Sequence, residues 1–301
     1  MIKKLLFVML TGLMSMSAWA VNPPSNPGNP GNPGNPDPAC VGKTLGSGET
    51  TRTIQVGGQS RTYILRVPGS YDGTKPVPLL LDFHALLTSA SYQRDNSGTL
   101  EVAEREGFIV AYPQGIDNAW NIGPCCTRSR AVDDIGFAKA IVEQVASQGC
   151  IDRKRVYATG YSNGGGMAYT LACKAADTFA AIAPAAFDLI QEVACTPSRP
   201  VSVFSARGRL DTIVPYNGGR STPPTSYPLD PIHFLGAEGT FQKWAQINGC
   251  TGSPTRLNSS CDGYRNCNGG TEVVLCTARL GTHRAWDATE SWNYLKNHRL
   301  P

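Results

Sequence analysis

Apolar residues are spaced in two different ways along the chain. Strand-like segments at residues 51–56 and 61–67 flank the sequence Gly-Gly-Gln-Ser, which predicts an antiparallel hairpin. Beyond them lie four apolar runs that predict buried strands, at residues 78–83, 108–113, 155–160 and 201–208. Helical stretches separate these runs, so the pattern predicts an α/β fold with a mostly parallel central sheet, helices on both faces and an N-terminal antiparallel hairpin.

The helical patterns begin where the sequence offers a helix start. Asp133 and Asp134 can cap one helix, and another follows directly behind the strand predicted at 155–160. The four clearest predicted helices cover residues 133–146, 163–175, 239–247 and 289–297. Between Tyr216 and Ile232 lies a loop rich in Pro, Ser and Thr, whose length is typical of a lid or a binding segment.

The first forty residues differ in composition from the rest of the chain. Lys3 and Lys4 precede an apolar run and a small-residue site that ends at Ala20, the pattern of a secretory signal peptide. Residues 21–39 repeat Gly, Asn and Pro, which predicts a disordered tether. We therefore expect a signal peptide at 1–20, the tether at 21–39 and one folded domain at 40–301 of an exported protein, without a membrane span after cleavage.

Charge and cysteine content narrow the classes of partner. The chain has 27 Lys and Arg against 23 Asp and Glu, too even a balance for a nucleic-acid binder. Ten cysteines in an exported chain predict disulfides, although spacing alone does not fix their connectivity. The adjacent Cys125 and Cys126 can either pair with each other or take separate distant partners, and we favour the second because a bridge between neighbours distorts the peptide. Short-range pairing would join Cys250 to Cys261 and Cys267 to Cys276.

The segment Gly160-Tyr161-Ser162-Asn163-Gly164 has the form G-x-S-x-G. An apolar strand pattern runs into it and a helical pattern runs out, the context in which this motif makes a sharp turn that exposes the serine at the sheet edge. The helix N-terminus then directs backbone N–H groups toward a developing oxyanion. The motif predicts Ser162 as a nucleophile, and the alternative is an ordinary helix N-cap.

A nucleophilic serine needs a general base later in the chain. Of the four histidines, His283 lies in a loop behind the strand-like segment 271–280, where the base of such a site belongs. His233 lies in the Pro-rich loop and is the second choice. His298 falls in a predicted exposed C-terminal helix and is set aside. With no metal-ligand spacing among four scattered histidines, we expect neither a metal nor a cofactor.

The acid that orients the base is expected to lie between the serine and the histidine. Asp211 occupies the loop behind the apolar run 201–208 and is preferred over Asp230, in the long loop, and Asp287, only four residues beyond His283. A hydroxyl, an imidazole and a carboxylate in contact form a unit in which the base takes the serine proton.

The remaining site residues are expected to stabilise charge or contact substrate. The backbone N–H of Asn163 should be one oxyanion donor, and the second should come from Ala85 or Leu86, with His84 as a structural hydrogen-bonding group. Aromatic residues that could contact an acyl group include Tyr161, Trp286 and Trp120.

The chain resembles the secreted feruloyl esterases and polyhydroxybutyrate depolymerase-like esterases of carbohydrate esterase family 1, which are α/β hydrolases. The resemblance runs from about Cys40 to the end and rests on residues 60–72, 108–121, 132–145, 150–173 and the Asp211 segment. It implies a secreted serine esterase with Ser162, Asp211 and His283 as its triad. It also implies a polymeric ester substrate, either feruloyl or acetyl esters of plant cell-wall polysaccharide or a bacterial polyester.

Three other classes of function are weaker. A catalytically silent polymer-binding protein could keep the same fold, but it would not need all three triad residues. A thiol redox protein would need a C-x-x-C motif, which the sequence lacks. A metalloenzyme would need clustered ligands. The sequence therefore favours an ester hydrolase and leaves the oligomeric state open.

Overall fold

The computed structural model describes residues 37–127, 129–221, 232–284 and 286–301. The signal peptide predicted at 1–20 and most of the tether predicted at 21–39 lie outside the described residues. The last tether residues are described, and there Pro38–Cys40 form a short 3-10 helix that Asp37 caps. The described part of the chain holds no helix long and apolar enough to cross a membrane.

A ten-stranded sheet organises the described residues. Its strands and those of a separate two-stranded ladder are β1 (Gly48–Val56), β2 (Gln59–Val67), β3 (Val77–Phe83), β4 (Ile109–Pro113), β5 (Ile151–Tyr161), β6 (Ala181–Ala185), β7 (Ser202–Gly208), β8 (Gly219–Ser221), β9 (Ile232–Phe234), β10 (Thr255–Arg256), β11 (Cys261–Tyr264) and β12 (Val273–Ala278). The sheet order is β1-β2-β4-β3-β5-β6-β7-β12-β11-β10, and β8 pairs with β9 in the ladder.

Strand directions in the sheet follow the predicted pattern. The strands from β4 to β12 in the sheet order are parallel, and the antiparallel hairpin β1–β2 adds to one side through β4. At the other side of the sheet, β11 pairs antiparallel with β12, and β10 pairs antiparallel with β11. Because the central strands are parallel, the loops that follow them emerge at one edge of the sheet, where an α/β fold builds its site.

Helices cover both faces of the sheet. They are α1 (Ala90–Asn96), α2 (Thr99–Glu106), α3 (Asp134–Gln148), α4 (Asn163–Lys174), α5 (Ala237–Ile247) and α6 (Ala288–Leu295). Buried residues of α3, α4 and α5 belong to one apolar core, and those of α1, α2 and α6 belong to a second core. The predicted α/β class is thus confirmed, with the central sheet buried on both faces.

Five disulfides cross-link the described residues, and their pairing corrects two sequence-based expectations. Cys125 bonds to its neighbour Cys126, so distant partners for these two were the wrong choice. Cys261 and Cys276 face each other in the β11–β12 register, which makes them partners although Cys250 is nearer to Cys261 in sequence. The bridges are Cys40–Cys150, Cys125–Cys126, Cys173–Cys195, Cys250–Cys267 and Cys261–Cys276.

Candidate active site

Ser162 occupies a sharp turn between a strand and a helix. β5 ends at Tyr161 and α4 begins at Asn163, so this one residue makes the connection. Its backbone has φ 56° and ψ −121°, a conformation that L-residues rarely adopt. The turn lifts the hydroxyl out of the line of the strand and places it beside the N-terminus of α4.

The two glycines of the motif make this turn possible. A Cβ at Gly160 would lie 2.5 Å from the carbonyl oxygen of Gly164 and 2.7 Å from that of Phe83. A Cβ at Gly164 would overlap the carbonyl oxygen of Phe83. Both positions therefore need glycine because the turn presses against the end of β3.

The structure brings the three predicted triad residues into one hydrogen-bonded chain. The loop after β12 places His283 so that its Nε2 lies 2.9 Å from Ser162 Oγ. The loop after β7 places Asp211 so that its Oδ2 lies 2.8 Å from His283 Nδ1. All three side chains stand at the carboxyl edge of the parallel strands, as the chain order Ser, acid, His predicts.

The Asp211 carboxylate is held in place from several sides. Its Oδ1 accepts the backbone N–H groups of Ile213 and Val214, each at 2.9 Å. Burial would raise its pKa, but the hydrogen bonds from His283 and from these two backbone groups outweigh burial and hold the pKa below its ordinary value. The carboxylate is therefore ionised and oriented toward the imidazole.

A buried arginine lies behind the carboxylate. Arg207 Nη2 is 3.8 Å from Asp211 Oδ2 and donates to the carbonyl oxygen of Val214 at 2.8 Å. The same guanidinium pairs with Asp188, which is also fully buried. Sequence reasoning missed this pair, because an arginine inside an apolar strand pattern does not reveal its partner.

The competing histidines and aspartates have other contacts. His233, on β9, bonds through Nδ1 to Glu192 at 2.6 Å on the protein surface. His298 lies beyond the end of α6 and is half-buried against Tyr294, which corrects the expected exposed helix position. Asp287 caps α6 by accepting the Glu290 N–H. Asp230 lies outside the described residues.

Two candidate backbone donors belong to residues that line the same cleft as Ser162. In the described part of the chain, the backbone N–H groups of Leu86 and Asn163 make no hydrogen bond to another protein group, and both residues line one cleft with Ser162. Ala85 is buried beside them. An oxyanion needs two N–H donors beside the nucleophile, and Leu86 and Asn163 are the candidates for that role.

Trp120 braces the two donor segments instead of facing a ligand. This fully buried residue donates its backbone N–H to Asn163 Oδ1 at 2.7 Å and its indole N–H to the His84 carbonyl oxygen at 2.8 Å. Burial corrects the expectation that Trp120 contacts substrate. Its two hydrogen bonds tie the serine turn to the loop that carries Leu86, a role that no pattern in the sequence indicates.

The other two aromatic residues differ in position. Tyr161 packs against the imidazole of His283 with ring centroids 5.2 Å apart, and burial raises the pKa of its phenol to about 12. Trp286 packs on the second core and donates its indole N–H to Ser291 Oγ at 3.0 Å. Tyr161 therefore stands at the site, and Trp286 is engaged with α6.

The cleft beside Ser162 is small and mostly apolar. Its volume is about 30 Å³, far below the roughly 300–1,000 Å³ of small-molecule sites. Its lining residues are Leu86, Cys125, Cys126, Ser162, Asn163, Phe187, Ile213, Val214, Ser221, Ile232 and Phe234. The described residues contain no cluster of three or more potential metal ligands.

Comparison with known proteins gives sequence relatives. The prolyl oligopeptidase family matches residues 129–190, a segment that includes Ser162. Feruloyl esterase B of Piromyces equi is 40% identical over 251 residues, covering 80% of this chain and 46% of that protein. Feruloyl esterase C of Emericella nidulans is 31% identical over 166 residues, covering 53% and 58% respectively. The chain spans about half the length of these curated relatives.

The fold has known counterparts as well. The acetyl xylan esterase from Aspergillus awamori superimposes with a TM-score of 0.59 over 82% of this chain and 99% of that one, at 12% sequence identity. That identity supports the fold alone. The chain has the α/β-hydrolase fold, and its sequence is similar to those of feruloyl esterases B and C.

Proposed function

We propose that this protein is a serine esterase that takes an acyl group from an ester onto Ser162 and passes it to water. The observation that carries the proposal is the chain of contacts from Ser162 Oγ through His283 to Asp211, at 2.9 and 2.8 Å. A serine hydroxyl becomes a strong nucleophile when an oriented imidazole accepts its proton.

Each step follows from the placement of these groups. His283 Nε2 takes the proton of Ser162 Oγ while the oxygen attacks the ester carbonyl carbon. The negative charge that forms on the carbonyl oxygen is stabilised by the N–H groups of Asn163 and Leu86. The bond from the carbonyl carbon to the alkoxide then breaks, the alkoxide takes the proton of His283 and leaves as an alcohol, and the acyl group stays bonded to Ser162 Oγ.

Deacylation repeats the sequence with water as the nucleophile. His283 removes a proton from a water molecule that attacks the acyl carbonyl, and the same two N–H groups stabilise the second tetrahedral intermediate. The imidazole returns the proton to Ser162 Oγ, and the acid leaves. Asp211 stays ionised throughout and stabilises the imidazolium formed in each half-reaction.

For the substrate we propose feruloyl or acetyl esters of plant cell-wall polysaccharide. The names of the feruloyl esterase relatives support the feruloyl group. We also propose that the protein works outside the cell, since five disulfides persist only in an oxidising environment.

A substrate panel with matched variants tests this function. The panel contains methyl ferulate, acetylated xylan, 4-nitrophenyl acetate and oligomers of 3-hydroxybutyrate. We expect hydrolysis of the feruloyl and acetyl esters, and a loss of about a thousandfold or more in kcat for Ser162→Ala and His283→Ala. His233→Ala serves as the control and should keep wild-type kcat, because among the described residues that side chain bonds to Glu192 on the surface.

Three results would contradict the proposal. Full activity in Ser162→Ala would show that Ser162 is not the nucleophile. Binding of acetylated xylan without hydrolysis of any ester would indicate a polymer-binding protein. Hydrolysis of the 3-hydroxybutyrate oligomers alone would replace plant esters with a bacterial polyester as the substrate.

A further inference from the structure

The two segments that carry the acid and the base of the triad are basic at the protein surface. The acid within residues 208–221 and 278–284 is Asp211, which is buried and bonded to His283. The exposed charge of these segments is therefore entirely positive. Its four exposed arginines are Arg209, Arg220, Arg279 and Arg284.

Backbone and side-chain hydrogen bonds hold these segments together. The N–H of Arg209 donates to the carbonyl oxygen of Ala278 at 3.0 Å, which joins the loop after β7 to the loop after β12. Ser221, next to Arg220, donates through Oγ to the carbonyl oxygen of Ile213 at 3.1 Å. The four arginines thus stand on one cluster of loops around the triad, and we call them the basic rim.

Among the described residues, the four guanidinium groups of the basic rim have no carboxylate partner. Arg209 instead lies over the ring of Tyr216, with its Cζ 5.4 Å from the ring centroid. Most other arginines in the described ranges pair with a carboxylate, as Arg66 does with Glu104 at 2.7 Å. A surface of one sign beside a reacting histidine indicates a negatively charged partner.

The proposed mechanism brings the polymer part of the substrate to this rim. In an ester of a polysaccharide the sugar is the alcohol part, and its oxygen takes the proton of His283 Nε2 as it leaves. That oxygen must lie within hydrogen-bond reach of the imidazole, so the sugar chain extends over the exposed loops beside it. Leu210 and Leu280, with exposures of 53% and 87%, offer apolar contacts to the C–H faces of sugar rings on the same loops.

Building on the proposed esterase function, we propose that the basic rim binds a carboxylate-bearing polysaccharide, one with uronic acid residues along the chain that holds the ester. A guanidinium can pair with a carboxylate through two parallel hydrogen bonds. One exposed pair is weak, but several pairs along one polymer chain reinforce each other. The rim therefore selects the charged polysaccharide, and the triad performs the chemistry.

The test measures binding separately from catalysis. The Ser162→Ala protein is titrated with glucuronoxylan, which carries carboxylates, and with neutral arabinoxylan, by affinity electrophoresis. We expect glucuronoxylan to bind about tenfold more tightly than arabinoxylan in about 20 mM NaCl. In about 300 mM NaCl the difference should shrink, because salt screens exposed charges.

Two double substitutions in this protein remove the same charge at different places. Arg209→Gln/Arg279→Gln changes the basic rim and should weaken the binding of glucuronoxylan by about tenfold in low salt. Arg153→Gln/Arg299→Gln is the matched control. Arg153 lies near the amino end of β5, opposite the serine turn, and Arg299 pairs with the neighbouring Asp152. The control should keep the affinity of the parent protein.

The outcomes separate this inference from the proposed function. A fall in affinity confined to the rim variant supports the inference. Equal falls in both double variants, or equal affinity of the parent protein for the two polysaccharides in low salt, would overturn it. The second comparison needs no rim variant, so it holds even if that variant does not fold.

Two further measurements complete the test. Binding to phosphatidylserine vesicles without binding to glucuronoxylan would overturn the inference and would make a membrane the partner. A wild-type protein that hydrolyses neither methyl ferulate nor 4-nitrophenyl acetate would instead overturn the proposed function. The binding constants do not depend on that result, because they are measured with the Ser162→Ala protein.

Discussion

The two ring nitrogens of His84 have hydrogen-bond partners that fix its tautomer. Nε2 accepts the backbone N–H of Gly115 at 2.9 Å, so the proton is on Nδ1, which donates to the carbonyl oxygen of Ala85 at 2.7 Å. Burial lowers the pKa of this imidazole to about 4, so the ring is neutral at the pH of ester hydrolysis. His84 therefore braces the loop that presents Leu86 without exchanging protons.

His84→Ala should lower kcat while KM changes little. Losing both hydrogen bonds lets the Leu86 N–H drift, and a displaced oxyanion donor weakens stabilisation of the transition state more than binding of the ester. We expect a fall in kcat of about 10-fold to 100-fold, measured by steady-state kinetics with 4-nitrophenyl acetate.

His298→Ala is the matched control for His84→Ala. Burial also lowers the pKa of His298 to about 4, but this residue packs against Tyr294 near the C-terminus. Its removal should leave kcat unchanged. A His84→Ala protein with a wild-type kcat, or one that loses affinity alone, would show that the loop does not depend on this imidazole.

At the scale of single residues, the sequence indicates the candidate triad more readily than the residues that support it. Ser162, Asp211 and His283 stand out because a motif and a chain order point to them. The bracing by Trp120 could not be seen, since it consists of one backbone N–H and one indole N–H with partners 43 and 36 residues away. Such contacts follow from the packed fold and leave no local pattern.

The turn between β5 and α4 depends on close contact with the end of β3. At Gly164 an added Cβ would overlap the Phe83 carbonyl oxygen and lie 2.7 Å from that of His84. Backbone atoms cannot move aside as a flexible side chain can, so Gly164→Ala should lower the free energy of unfolding by about 1–3 kcal/mol, the usual cost of overpacking. Urea denaturation measures this difference.

A second glycine provides the comparison for Gly164→Ala. Gly46 is exposed, and a Cβ there would meet no atom within 4 Å. Gly46→Ala should change the free energy of unfolding by less than about 0.5 kcal/mol. Equal stability of the two alanine variants would mean that the β5–α4 turn has room that its backbone contacts do not indicate.

The end of β3 also carries a buried carboxyl whose titration affects stability. Burial raises the pKa of Asp82 from 3.8 to about 6, against the opposing effect of hydrogen bonds from Thr99, Gln93 and Ser97. Below pH 4 the carboxyl is protonated in both the folded and unfolded chain. As pH rises to about 6 the unfolded chain gives up this proton first, so the contribution of Asp82 to stability is lost over that interval.

Asp82→Asn should remove this pH dependence. One pKa unit corresponds to about 1.4 kcal/mol, so wild type should lose about 2 kcal/mol more than the variant between pH 4.5 and pH 7.5. Urea denaturation at both pH values gives the difference. Asp177→Asn, which removes an exposed carboxylate paired with Lys139, should alter the loss of stability between the two pH values by less than about 1 kcal/mol. Parallel losses in wild type and Asp82→Asn would contradict the shifted pKa.

At the scale of elements, a strong hydrophobic periodicity was enough to predict a strand or a helix, and a weak periodicity was not. The four apolar runs became β3, β4, β5 and β7, and the four predicted helices formed with ends shifted by a few residues. Sequence reasoning did not name β6, whose sequence Ala-Ile-Ala-Pro-Ala has a single β-branched residue and a proline, nor the short helices α1 and α2. Those elements depend on tertiary packing that single-sequence propensity does not contain.

For the whole molecule, fold class could be predicted but the pattern of cross-links could not. Alternating strands and helices specify a parallel sheet, and that sheet fixes which loops meet at the serine. Disulfide pairing depends on register instead, as Cys261 and Cys276 show by standing opposite each other on β11 and β12. The shortest distances in sequence therefore gave the wrong partners.

The Cys40–Cys150 bridge should contribute most to the stability of the folded domain. It ties the first described helical turn to the residue just before β5 and closes a loop of 110 residues, whereas Cys261–Cys276 closes one of 15. In the chain-entropy description a loop near 100 residues is worth about 4.7 kcal/mol and a 15-residue loop about 3 kcal/mol.

Cys40→Ala/Cys150→Ala should consequently lower the free energy of unfolding by about 1–2 kcal/mol more than Cys261→Ala/Cys276→Ala, measured by urea denaturation at one pH. Thr44 and Leu45 donate to the carbonyl oxygen of Gln148, so the N-terminal segment keeps some attachment without the bridge. The triad contacts do not pass through either bridge, and kcat of the folded fraction should stay the same in both variants. A larger loss from the Cys261–Cys276 variant would mean that register at the sheet edge outweighs loop entropy.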